Sequence, residues 1–464
     1  MLDAMSIRYN DEDWYRPEEQ VIKVIEDYVY LEPYDWLHVL PPQAELSQAY
    51  VSALMRVLYI LTGLPFSTVY VTILYGAVIL ASLYWLIRSL RPVVRRHICW
   101  IAPAFIVMFL GSGNLVWLNS LFGEGVAFTG LMAILGCSGY ILSLERGEAR
   151  WSLLVLAFSI LFFGTAKAQY VLTLPVLMIW WGCLFVYHRP KKSHVWKAAV
   201  YYAAGVIMST LVIINALHVY EVNNSKSSQD TIYQSLFYGV LMIVEDPEAV
   251  LEELGLDPAL AADAGKHAYL DKDEYYCAPR TEMAEKMIYS KISSLDLVTW
   301  YLKHPDKLWY MLDTAAEAAS DPMPDYGLYV GDKTTETPRT VSKMNFWYEI
   351  RQSFALNQFW QYIVFYGVLI GWSIWKIFSK KTQTRTKWLY GLYLTIMFTG
   401  IIQFPMTVIG NGFADNIKQL YIFRVTYDMT LLIAVYLAVR GIAGRFKRRG
   451  KEEEAHAGQK ELVQ

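Results

Sequence analysis

Long, uninterrupted apolar runs dominate this sequence and leave it few folds to choose from. Crossing roughly 30 Å of hydrocarbon takes about twenty helical residues, and in lipid each backbone N–H and C=O must find a partner inside the protein. Such runs occupy 66–87, 98–114, 124–143, 152–166, 169–187, 197–217, 358–378, 387–407 and 418–439. They predict an all-α fold, a polytopic transmembrane helix bundle of about nine spans. Composition alone is a weaker guide: 55% of the residues are hydrophobic and 18% charged, a modest shift from a soluble domain. The distribution along the chain carries the argument.

The turns orient the bundle. Short cytoplasmic loops concentrate Lys and Arg. Arg88, Arg91, Arg95 and Arg96 share one turn; Arg189, Lys191, Lys192 and Lys197 another; Lys376, Lys380, Lys381, Arg385 and Lys387 a third. Arg445, Lys447, Arg448, Arg449 and Lys451 follow the last run, and the turn at 146–150 mixes Arg146 and Arg150 with Glu145 and Glu148. Counting nine spans puts all of these on one side. The turns near Gly123, Ala168 and Asn411, poor in basic residues, fall on the other.

Five regions follow. Residues 1–65 form an extracytosolic acidic loop with interfacial helices, 66–217 a first transmembrane bundle, and 218–357 an extracytosolic helical insertion. Residues 358–440 return to the membrane, and 441–464 are a charged cytoplasmic tail. Because the span at 66–87 must then run inward, the plainest expectation is a further transmembrane helix ahead of Met1. The run 48–64, with Arg56 in its middle and Pro65 at its end, is short for a span and predicts a helix lying at the interface. In the insertion, Asp246-Pro247 opens a capped helix with Gly255 as its stop, and 283–293, 294–303 and 304–320 continue helically. The stretch 321–339, rich in Pro, Gly, Asp and Thr, predicts an irregular surface loop. At roughly 140 residues the insertion is large enough for a small core of its own.

Cys99, Cys137 and Cys183 fall within the spans, and Cys277 stands alone in the insertion, so no internal disulfide is expected there. That pattern suits the plasma membrane of a bacterial cell. A formal net charge of −2 and the lack of a basic stripe argue against a nucleic-acid partner.

Three clusters carry chemistry. The first is Asn10-Asp11-Glu12-Asp13-Trp14-Tyr15-Arg16. Adjacent acids repel, so a raised pKa, a cation or Arg16 must offset them. Carboxylates at i and i+2, here Asp11 and Asp13, suit a general base or a divalent-metal clamp of the Mg or Mn type; a solvated acidic turn before a helix is the plain alternative. The second takes its meaning from a family resemblance and lies in the opposite turns: Glu124 in Asn119-Ser-Leu-Phe-Gly-Glu124-Gly125, and Lys167 in Gly164-Thr165-Ala-Lys167-Ala-Gln169. The third is Asp415, Lys418, Arg424 and Asp428. An Arg two turns into a span is costly unless it meets a partner, a cavity or a phosphate. Asp428, at i+4, supplies an internal ion pair as one reading; the other makes Arg424 and Lys418 the cationic end of a lipid-phosphate site. For Lys167 and Arg56, snorkelling to the interface competes with the same role.

The order of these features resembles the GT-C superfamily of membrane glycosyltransferases that use sugars carried on polyprenyl phosphate. Residues 8–92 give the acidic cluster, His38-Val-Leu-Pro41-Pro42, a short apolar helix, Leu64-Pro65 and a span closing in Arg88-Ser-Leu-Arg91-Pro92. Tyr233-Gln234-Ser235-Leu-Phe-Tyr238-Gly239 and Tyr301-Leu302-Lys303-His304-Pro305 are similar to a bacterial hexosyltransferase group of surface-layer or cell-wall glycan synthesis. The resemblance implies an inverting hexosyltransferase with a polyprenyl-phosphate sugar donor and a surface glycan acceptor, acting at the extracytosolic face. Asp11 or Asp13 would be the base, with Glu12 beside them, and Glu124 would assist or hold a cation. Arg16, Lys167, Asp415, Lys418, Arg424 and Asp428 would form the lipid-phosphate and substrate end. A polysaccharide polymerase or ligase and a lipid-linked glycan transporter are the alternatives. The former places Arg and His in late loops, and the latter calls for broken spans in two matching halves.

Overall fold

The computed structural model describes residues 5–9, 28–41, 43–189, 195–226, 228–320 and 346–461. They form an almost wholly helical, polytopic membrane protein. The sole sheet among the described residues pairs β1 (Ile7–Tyr9) antiparallel with β2 (Tyr28–Tyr30), Arg8 opposite Val29. Residues 1–65 thus contain a small ribbon where helix and loop were expected. Three-residue strands leave too little alternation to be seen in sequence.

After the ribbon comes α1 (Gln48–Thr62), stopped by Gly63 in the left-handed region, where its N–H bonds the carbonyl of Tyr59. Its first half is buried, while Leu54, Val57, Ile60 and Leu61 are exposed, the amphipathic profile of an interfacial helix. Arg56 is partly buried near the middle of α1. It pairs with Glu32 and lies over the rings of Tyr30, Tyr34 and Tyr59 at 4.8, 5.5 and 5.0 Å.

Helix α2 (Thr68–Val94) ends where Arg95 adopts φ 52°, and α3 (Ile98–Phe109) returns alongside it. The short α4 (Ser112–Leu118) leads into α5 (Gly123–Ser143), the most buried helix of the bundle. Packing of α2 on α5 depends on small residues: a Cβ on Gly136 would fall 2.5 Å from Cα of Ser82. Next come α6 (Arg150–Gly164), α7 (Ala168–Val171), α8 (Leu174–Tyr187) and α9 (Val195–Lys226). The insertion holds α10 (Ser228–Phe237), α11 (Pro247–Glu253), α12 (Glu282–Ala284), α13 (Ser294–Lys303) and α14 (Pro305–Ser320). As the sequence predicts, Asp246 caps α11 by accepting from the Ala249 N–H at 3.1 Å, and Gly255 follows it at φ 72°. Helix α15 (Phe346–Gln352) precedes α16 (Phe359–Phe378), α17 (Thr384–Asn411), α18 (Asn416–Gln419) and α19 (Tyr421–Glu461).

Among the described residues six helical segments are long and apolar enough to cross a membrane, fewer than the nine expected. Two causes account for the difference. The runs at 66–87 and 98–114 belong to one helical stretch, Thr68–Phe109, interrupted at Arg95. Helices α6 and α8, of 15 and 14 residues, reach roughly 21–23 Å at 1.5 Å per residue, short of about 30 Å of hydrocarbon.

Helix direction alternates as the charged turns require. At one end Arg385 donates to the Ser89 carbonyl (3.0 Å), Arg146 to that of Tyr187 (3.0 Å), and the Gly147 N–H to His188 Nδ1 (3.4 Å). The basic turns are therefore neighbours. The starts of α2, α5 and α19 and the ends of α6 and α17 lie at the other end, where the Thr72 hydroxyl donates to the Leu118 carbonyl at 3.0 Å. The insertion does not close a core of its own. Tyr233, Phe237, Leu297 and Trp300 continue into a cluster with Tyr362, Phe404 and Phe423 of α16, α17 and α19, where the rings of Tyr362 and Phe404 each meet that of Phe423 edge to face. All four cysteines are free, Cys277 buried in the insertion.

Candidate active site

The short helices α6 and α8 leave a gap that irregular backbone must fill. Such backbone survives at membrane depth only when protein covers it or it lines a cavity. Thr165, Ala166, Tyr170 and Thr173 are all buried. Backbone carbonyls at this turn are met locally: the Ser47 N–H donates to that of Thr165 (3.1 Å), the Ser47 hydroxyl to that of Phe162 (2.6 Å), and Gln48 Nε2 to that of Ala166 (3.4 Å). The start of α1 thus holds this turn in place.

Lys167 is displayed by the same turn. Its ammonium donates to Oε1 of Glu124 at 2.7 Å and to Oε1 of Gln419 at 3.1 Å. Glu124 is 0% exposed and lies in the first turn of α5, where the helix dipole favours a carboxylate. The lysine can cross this helix end because residue 123 is glycine: a Cβ there would fall 2.5 Å from Lys167 Cγ and 2.8 Å from the Ala166 carbonyl oxygen. Among the described residues, Glu124 Oε2 has no hydrogen-bond partner.

A layer of amides ties the turn to the C-terminal helices. Gln169 Nε2 donates to Gln403 Oε1 at 3.3 Å and to the Gln419 carbonyl at 3.1 Å. Gln403 is a fully buried amide in the apolar run of α17. Lys418, one residue before Gln419, lies over the Phe122 ring at 4.4 Å, next to the start of α5. Burial lowers the Lys418 pKa from the ordinary lysine value. Repulsion from Lys167 lowers it further, and Glu124 and Asp415 partly offset both. Asp415 sits at φ 52° just before α18. The loop it belongs to is anchored by the Phe413 N–H, which donates to the Tyr238 carbonyl at 3.0 Å.

Of the residues singled out in the sequence, Glu124, Lys167, Asp415 and Lys418 therefore come together. Arg424 is buried one turn further along, and its guanidinium donates to the Ile417 carbonyl at 2.9 Å, bracing the α18–α19 corner. Asp428 turns to another cation: Arg351 of α15, Nε–Oδ1 3.6 Å, itself buried and donating to the Ala319 carbonyl at 3.2 Å. Asp11, Glu12, Asp13 and Arg16 lie outside the described residues. Sequence reasoning missed Gln169, Gln403, Gln419 and Arg351 as members of these networks. A lone Gln in an apolar run was the available signal for Gln403.

Glu124 meets a cation, but that cation is an ammonium of the chain. A carboxylate neutralised in this way is a poor ligand for a divalent metal. Among the described residues no three His, Cys, Asp or Glu side chains are grouped to hold one. The arrangement can instead receive an anion. Two lysines from sequence-distant turns converge at one end of the bundle, one of them braced by a buried carboxylate.

Comparison with known proteins adds one finding. A family model described as the YfdI N-terminal transmembrane domain matches residues 11–459. No curated protein and no solved structure matches the chain at a significant level.

Proposed function

Because the chain belongs to the family of the YfdI N-terminal transmembrane domain, we propose that it is a membrane glycosyltransferase of GT-C type. It moves a hexose from a polyprenyl-phosphate donor to a cell-surface glycan acceptor at the outer face of a bacterial plasma membrane. The observation that carries this reading is the convergence of Lys167 and Lys418 on the buried Glu124. A phosphate leaving group gathers negative charge as its bond to sugar breaks, and preorganised cations in a site with little water stabilise that charge strongly.

The acceptor hydroxyl oxygen bonds to the anomeric carbon as the carbon–oxygen bond to phosphate breaks. The bonding electrons leave with the phosphate oxygen, and the hydroxyl proton passes to a carboxylate, Asp11 or Asp13. Attack opposite the leaving group inverts the anomeric centre. Lys167 and Lys418 neutralise the departing polyprenyl phosphate, with Arg424 holding the corner that presents Lys418. Glu124 is a positioning residue: it fixes the Lys167 ammonium and takes no proton in the step. Lys167 and Lys418 supply charge compensation at the phosphate, and a divalent cation of the Mg or Mn type held by Asp11 and Asp13 would add to it.

The test uses the full-length protein in vesicles, given short-chain polyprenyl phosphates that carry radiolabelled glucose, galactose or mannose. Transfer of label with release of polyprenyl phosphate from at least one donor is expected, with loss of transfer in Lys167→Met and in Asp11→Asn/Asp13→Asn. Consumption of a lipid-linked oligosaccharide in place of every monosaccharide donor would overturn the reading in favour of a polymerase or ligase. Wild-type rates in the double aspartate variant would remove the base.

A further inference from the structure

At the basic end of the bundle, opposite the site above, a half-enclosed cleft opens between α2, α3, α17 and α19. Its walls are almost entirely apolar, built from residues such as Leu86, Phe105, Leu392, Ile396, Met429 and Ile433. The tyrosines that reach it are satisfied within the protein: Tyr393 donates to the Thr430 carbonyl at 2.9 Å, and the Tyr390 hydroxyl accepts from Trp372 Nε1 at 3.4 Å. Water gains nothing in such a space. The polarity is confined to one end, where Thr386 and Arg440 line the cleft. Arg440 donates to the Tyr436 hydroxyl at 3.2 Å, one turn back on α19. Tyr436 in turn packs against His97 and Trp100 at 5.9 and 6.1 Å. Trp and Tyr beside Arg is the residue set of a headgroup level. The arginine-rich turn 88–96 adjoins it, held there by the Arg385–Ser89 contact.

We propose that this cleft binds an anionic glycerophospholipid of the leaflet on the basic side, with an acyl chain between α3 and α17 and the headgroup phosphate at Arg440 and Thr386. Charge complementarity selects the occupant. A zwitterionic lipid would fill the apolar walls equally well, but its headgroup cation offsets its phosphate and brings no net negative charge to the arginine cluster, and a basic cluster at a membrane surface favours acidic lipids. The donor of the proposed reaction presents its phosphate at the opposite end of the bundle, so this lipid is not the substrate and the inference stands apart from the catalytic reading.

The full-length protein, purified in detergent, is titrated with phosphatidylglycerol and separately with phosphatidylcholine, and retained lipid is read by native mass spectrometry. Preferential retention of phosphatidylglycerol is expected. Arg440→Gln, at an exposed side chain that does not threaten folding, should reduce that preference roughly fivefold. Ile433→Trp, which fills the cleft, should lower retention of both lipids, and Val439→Trp on the outer face of α19 should change neither. Equal retention of the two lipids by the wild type, an unchanged preference in Arg440→Gln, or displacement of phosphatidylglycerol by undecaprenyl phosphate would each overturn the proposal.

Discussion

The Lys167 ammonium lies 2.7 Å from Oε1 of Glu124, a carboxylate with no exposed surface. Removing one partner of a buried pair strands the other charge at a cost of about 3–5 kcal/mol, whereas removing both is far milder. Lys167→Met should therefore lose both stability and transfer. Lys167→Met/Glu124→Gln should recover most of the stability but no transfer. Thermal unfolding in detergent alongside the vesicle assay separates the two effects. A fully active double variant would show that the pair is only structural.

Lys418 titrates below the ordinary lysine range because it is buried and faces Lys167. A lysine with a lowered pKa is neutral at a pH where an exposed one is still charged. The alkaline limb of the transfer rate should accordingly begin below the usual lysine range. In Lys418→Arg, whose guanidinium does not titrate there, the limb should move to higher pH. A limb that stays in place in the arginine variant would assign it to another group.

Arg351 joins the end of the insertion to α19 through Asp428 and to α14 through the Ala319 carbonyl. Asp428→Asn removes the carboxylate charge and leaves a buried guanidinium. It should cost about 3 kcal/mol or more and speed amide hydrogen exchange in α14 and α15. Unchanged exchange there would mean that the insertion is held by its aromatic cluster alone.

Gly136 admits Ser82 so closely that any side chain must push α2 and α5 apart. Gly136→Val should destabilise the protein by about 1–3 kcal/mol as an overpacked core site, while the same change at Gly182, which has open space around its Cα, should be nearly silent. Unfolding midpoints of the two variants make the comparison.

Sidedness can be read with an impermeant maleimide on a cysteine-free background. Lys272→Cys in the insertion should label from outside intact cells, and Lys381→Cys in a basic turn only after the cells are opened. The reverse pattern would invert the orientation and place Lys167 and Lys418 in the cytoplasm.

What could be read from sequence followed from how local the cause was. Apolar runs and basic turns act over one helix each, so the bundle and its alternation were visible, as was the Asp246 cap. The span count was less so, because an apolar run does not reveal a reversal at Arg95 or how much of 152–187 is spent on a buried turn. Partner choice was least legible. The i+4 spacing of Arg424 and Asp428 allowed a pair on one helix face, yet Asp428 meets an arginine from a distant segment. Gln169 and Gln419 meet because the helices on which they lie are neighbours, a relation that no spacing encodes. The acidic cluster at 11–13 lies beyond the described residues.

The shortness of α6 and α8 also acts on the surrounding lipid. Trp151, Val155, Phe158, Ile179 and Val186 turn outward from these helices, so the bilayer meets an apolar wall lower than its own hydrocarbon. Lipid adapts to such a mismatch by thinning. Headgroups on the side of Lys167 then sink toward the middle of the membrane, and the phosphate of the proposed lipid-carried donor would descend with them. Bilayer thickness becomes a variable of the reaction: vesicles of short-chain lecithin should support faster transfer than those of long-chain lecithin, with the same protein and the same donor.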